Sequence, residues 1–166
     1  IYRPVSGVAA DLNQARLAIK KVPDVPGTAA RIFSALAKSN VSVDMIIQSL
    51  NHDQTNDIAF TVSTADLEAA LKVLDQIKQE LGAEEVLVDE DIAKVSIVGA
   101  GMIDRPGIAS DMFDALGEAN INIKMIATSE IKISCLVDKD KAHEAVRVIH
   151  TKFHLDDQEA EAKVYG

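Results

Sequence analysis

Two Asp-x-Pro-Gly turns, Asp24-Val25-Pro26-Gly27 and Asp104-Arg105-Pro106-Gly107, stand where apolar helical spacing begins. A helix start carries unpaired N–H groups and the positive end of the helix dipole, which suit a carboxylate. Glycine lets a ligand approach the backbone closely. Asp24 and Asp104 offer the complement, an anion that can face an ammonium group. Pro26, Gly27, Thr28 and Ala29 therefore form one candidate site for a small dipolar molecule, and Pro106-Gly107-Ile108-Ala109 its counterpart. Asp44 and Gln48 lie downstream on an alternating segment, where an acidic side chain suits a second cationic group. Lys124 stands where Asp44 would in the second segment, so the two sites need not be equivalent. Asn120, Ile121 and Asn122 offer backbone carbonyls and amides to a ligand on a neighbouring domain, and Ser129 completes the set.

Each of these residues also has a plainer reading. Pro-Gly starts many helices that bind nothing, Asp44 is also read as a solvated strand residue, Thr128 and Ser129 as closing a tight hairpin, and Met45 and Met125 as core. What favours a site is that the turn occurs twice. His150 and His154 have helical spacing for a metal pair, but no third ligand follows at a recognisable interval. Gly99-Ala100-Gly101 lacks the third glycine of a dinucleotide fingerprint, and Pro106 interrupts the helix such a motif needs. No Ser-His-Asp or Cys-His constellation is visible, so no catalytic residue, metal or cofactor is expected.

The elements that position these residues come from a duplication. Shifting the sequence by 80 residues aligns 24–49 with 104–129 at 11 of 26 positions without a gap. Ordinary composition would give about two. Each copy reads as a strand (Leu17 to Val22; Val95 to Val98), the Pro-Gly turn, and a helix. One helix is lined by Ala29, Ile32, Phe33 and Leu36, the other by Ala109, Met112, Phe113 and Leu116. Asn40 and Asn120 suit left-handed positions at the helix ends. Alternation then predicts strands through Val41, Val43, Met45 and Ile47, and through Ile121, Ile123 and Met125. Further strands follow at Ile58, Phe60 and Val62, and at Ile131, Ile133, Cys135 and Val137. The loop before them is long and polar in the first copy (Asn51 to Asn56) and nearly vanishes around Ser129-Glu130 in the second.

Second helices run through Leu67, Leu71, Leu74, Ile77 and Leu81, ending at Gly82, and through Ala142, Val146, Ile149 and Phe153, with Asp138 as a capping residue. Glu85 to Val88 and Lys163 to Tyr165 supply last strands. The order β-α-β-β-α-β, twice, predicts an α+β protein of two tandem ferredoxin-like domains, each an antiparallel sheet with helices on one face. The expected boundaries are 15–91 and 92–166, with the extra strand Val5 to Ala10, within 1–14, completing the second sheet.

Composition narrows the partners. The 166 residues are 48% hydrophobic but only 4% aromatic, so the core is aliphatic. A net charge of −9 argues against nucleic acid and anionic membranes. A ferredoxin-like RNA binder would need aromatics on its central strands. No apolar run is long enough to span a bilayer. The single cysteine, Cys135, sits in an apolar strand and fits a reducing cytoplasm.

The β-α-β-β-α-β unit whose first helix opens at Asp-x-Pro-Gly resembles the ACT family of ligand-sensing modules. The stretches Lys94 to Met102, Asn120-Ile121-Asn122-Ile123, Thr128 to Ser134 and Val43 to Gln48 are similar to the regulatory region of aspartate kinases. That resemblance covers Val5 to Gly166 and includes no kinase catalytic segment. It implies side-by-side pairing of ACT domains in a homodimer, a catalytic domain or subunit of aspartate kinase as partner, and threonine, lysine or both as effectors. Asp44 would then face the ε-ammonium of lysine. The competing expectation is a stand-alone ACT-type sensor acting on another enzyme or regulator.

Overall fold

The computed structural model describes residues 4–102, 105–155 and, as backbone, 161–165. It divides into two compact units, Gln14–Glu90 and Ile1–Asn13 with Asp91–Gly166. Asp104 lies outside the described residues.

The Gln14–Glu90 unit contains β2 (Gln14–Pro23), α1 (Thr28–Lys38), β3 (Ile46–Leu50), β4 (Thr55–Ser63), α2 (Leu67–Leu81) and β5 (Glu85–Asp89). Its sheet has the order β3-β4-β2-β5, all neighbours antiparallel. Alternate residues of β2 and β4 meet the helices. Leu17, Ile19, Ile58 and Phe60 join Ile32, Leu36, Leu74 and Ile77 in one aliphatic core. Phe33 packs edge-on against Phe60, with ring centroids 5.6 Å apart. This is the ferredoxin-like arrangement expected from the pattern.

The other unit begins with β1 (Gly7–Asp11) and continues with β6 (Ile92–Val98), α3 (Gly107–Glu118), β7 (Met125–Thr128), β8 (Lys132–Asp138), α4 (Ala142–Lys152) and β9 (Glu161–Tyr165). The sheet order is β7-β8-β6-β1-β9. The N-terminal strand lies between β6, to which it is antiparallel, and β9, to which it is parallel. This sheet is therefore antiparallel except at its β1–β9 pair. Val8, Ala10, Val95, Ile97, Ile133, Cys135, Met112, Leu116 and Ile149 form its core. Burial raises the Cys135 thiol to about 12, so it is an inert core group.

Both helix ends carry the expected left-handed asparagines, Asn40 at φ 61° and Asn120 at φ 58°. Four local expectations need correction. The strands after these helices are regular only from Ile46 and Met125, not from Val41 and Ile121. In the first copy the hydroxyl of Thr61 takes the amide of Met45 at 3.0 Å, while Asp44 N donates to Thr61 O, so the ladder starts irregularly. The hairpin loops also differ less than expected. They run 51–54 and 129–131, because Thr55 and Asn56 are already in β4. Ile131 is not a core strand residue. Ser129 N donates to Lys132 O, which puts Ile131 in the turn at 62% exposure. Asp138, finally, caps no helix. It precedes a single 3-10 turn, Lys139–Lys141, and makes no capping bond, pairing instead with Lys124 at 2.7 Å.

Candidate functional site

The first Pro-Gly turn is built by backbone geometry. Gly27, at φ 92°, is the residue before α1, a left-handed position that favours glycine. Its carbonyl accepts from Arg31 N at 2.9 Å, the first bond of the helix. Thr28 is buried, and its hydroxyl donates to Pro23 O at 3.0 Å. That side chain holds the turn down and does not face outward. Ala29 packs partly on the core, while Asp24, Pro26 and Gly27 are exposed.

Asp24 is fixed to the β3–β4 hairpin at two points. Its amide donates to Gln54 O at 3.1 Å, and its carboxylate accepts from Asn56 Nδ2 at 2.9 Å. Gln48 is exposed in β3 opposite Ile58, and Ile58 faces the helix-side core. Gln48 therefore lies on the same sheet face as the helices, one alternation away from Leu50, which pairs with Asn56. Asp44 is exposed just before β3. Pro26-Gly27, Asp24 and Gln48 thus belong to the helix-covered side of one four-stranded sheet.

The second-copy residues belong to the other unit. Asn120 and Asn122 are exposed and Ile121 is a core residue. The amides of Asn120 and Ile121 donate to Gly117 O and Leu116 O, so these two donors are committed to closing α3. Ser129 is exposed, and its amide closes the β7–β8 turn on Lys132 O at 2.8 Å.

A polar cluster that joins the expected loop Asn51 to Asn56 to Lys20 and Lys21 of β2 surrounds the base of the first hairpin. Asp57 pairs with Lys20 Nζ at 2.7 Å and accepts from Lys21 N and Asn51 Nδ2, each at 2.9 Å. Burial pushes this carboxyl up, but the Lys20 and Asn51 side chains and the Lys21 amide outweigh it, bringing it down to about 2. Lys21 sits at φ 58° in a bulge where the β2–β4 register shifts. Its ammonium lies 3.3 Å from Asp53 and 3.4 Å from Glu84, and these partners raise its pKa. The signal available in sequence was the unbroken polar run Asn51 to Asp57 beside the lysine pair Lys20-Lys21.

The family model of the ACT domain matches residues 20–77 and again 95–153. An aspartate kinase of Stutzerimonas stutzeri is 49% identical over 152 residues, covering 92% of this chain and 37% of that protein. A chain from the crystal structure of aspartokinase alpha and beta subunits is 44% identical with a TM-score of 0.85, and 91% of this chain covers 99% of it. The ligand-free regulatory subunit of aspartate kinase from Thermus thermophilus is 41% identical with a TM-score of 0.87, at the same coverage. The chain thus spans about 37% of the length of the curated kinases it matches.

Proposed function

The chain belongs to the ACT-domain family, as a regulatory region of the aspartate kinase type, and from that premise we propose that it binds a free amino acid and passes the occupancy of that site to a kinase catalytic domain or subunit. The observation that carries this reading is the turn at α1. A left-handed Gly27 opens the helix N-terminus beside Asp24, whose carboxylate is held in place by the neighbouring hairpin. A ligand carboxylate is met by helix N–H groups and an ammonium by Asp24. Asp44 and Gln48 address the side chain. Lysine matches an acid at position 44, and threonine matches the amide of Gln48. The asparagines at 120 and 122 and Ser129 serve a second site, or a neighbour's ligand, when ACT domains pair in a homodimer.

Binding acts on the kinase by favouring one arrangement of the ACT domains. A coupling of about 1–3 kcal/mol would change activity about 5–150-fold. The setting is the cytoplasm, and the outcome is feedback control of aspartate-family amino-acid synthesis by its end products. Calorimetric titration of the chain with threonine, then lysine, tests the reading. Binding of at least one is expected, weakened about tenfold by Asp24→Ala or Gln48→Ala. Unchanged affinity in both variants would remove the site from α1.

A further inference from the structure

Asn56 stands at a place where the strand pattern calls for an apolar side chain. It opens the core-facing series Asn56, Ile58, Phe60, Val62 of β4 and pairs with Val22 of β2 and Leu50 of β3. The residue is only 3% exposed. Its amide nitrogen donates to Asp24, 32 residues earlier, and its amide oxygen is buried with no hydrogen-bond partner. An apolar residue would fill this position without orphaning an acceptor. The orientation is set by Asp24, since a carboxylate can only accept.

We propose that Asn56 is a positioning residue of the effector site: it holds the Asp24 carboxylate, by donating to it from inside the sheet, in the place where the ligand's ammonium must find it. This rests on the reading of the α1 turn as the amino-acid site. Asp24 itself is exposed, and water alone would leave its side chain free to rotate. The backbone bond from Asp24 N to Gln54 O fixes the main chain, and Asn56 fixes the side chain. A preset carboxylate loses less rotamer freedom on binding, so affinity falls when the donor is removed. The unpaired oxygen is the cost of keeping a donor at a core position.

The test uses a pair of variants of equal shape. Asn56→Thr keeps an O–H donor for Asp24, and Asn56→Val does not. Both are titrated as full chains with threonine and lysine, and thermal melts check that each is folded. The Thr variant should bind within about threefold of the unsubstituted protein and the Val variant about tenfold more weakly. A role in packing alone would treat the two alike. Equal affinity of the Val and Thr variants, with the unsubstituted protein binding normally, overturns the positioning role and leaves the site reading intact. Should the unsubstituted protein bind neither amino acid, the site reading fails and the inference with it. If the Val variant does not fold, Asn56→Ala against Asn56→Ser gives the same contrast on smaller side chains.

Discussion

The two copies share a Pro-Gly helix start, an asparagine in left-handed geometry after the helix, and the same β-α-β-β-α-β order, yet they have diverged around those features. In the first copy Asp24 is tied to the hairpin through Asn56, and Asp44 stands before β3. In the second, Lys124 occupies the position of Asp44 and is paired with Asp138. The first sheet closes on its own four strands, whereas the second admits β1 between β6 and β9. Duplication therefore preserved the scaffold, while the two copies came to differ in the charge before the third strand and in whether the sheet takes up the N-terminal strand. That separation is physically cheap. Core positions answer only to volume and burial, and positions outside the core, such as the one before β3 and β7, tolerate a change of charge.

The contrast breaks most visibly at position 99. Ile19 fills the core of the first copy, but its counterpart 80 residues on is Gly99, where the strand β6 has ended. A Cβ on Gly99 would fall on the carbonyl oxygen of Pro4 and within 2.9 Å of Val5 Cα. Gly99→Ala should cost about 3 kcal/mol by pushing the N-terminal strand away, read as a lowered urea midpoint. An unmoved midpoint would mean that Pro4 and Val5 give way without disturbing β1.

The charge contrast at position 44 is tested by making the first copy resemble the second. Asp44→Lys should weaken lysine binding about tenfold, near 1.4 kcal/mol, and leave threonine binding nearly unchanged. Equal loss for both ligands would show a damaged site rather than a reversed charge.

The smallest effect concerns the hairpin cluster of the first copy. Asp57 ionises near 2 in the folded protein against 3.8 for an unperturbed aspartate. A lowered folded pKa gives stability that is full above the unfolded value and is lost as pH falls through the folded one. The window is therefore pH 4 down to about 2. With Asp57 and Lys20 partly exposed, at 21% and 35%, the contribution is about 1 kcal/mol after solvent screening. Asp57→Asn should flatten that part of the acid denaturation curve. An identical curve would assign the hairpin's rigidity to its backbone alone.

Much of this was legible in the chain itself. The repeat, the four helices, the left-handed asparagines and the Pro-Gly turns follow from spacing and from residue chemistry acting over a few positions. The misreadings were local too. Thr61 captures the Met45 amide and delays β3, and Lys124 captures Asp138 that looked like a helix cap. In each case a side chain distant in sequence outcompeted the local rule, and periodicity contains no term for that.

Sequence alone determined the order of elements and which face of each is apolar, because those depend on the periods of helix and strand. Only tertiary structure decided which strands lie side by side and which polar groups meet. The pairing of Gly7 with Val98 and the bond from Asn56 to Asp24 join residues 91 and 32 positions apart. Such contacts form because chain packing takes at least one of the two groups out of water, where it must find a partner, and neither residue's neighbours in sequence specify which partner that is.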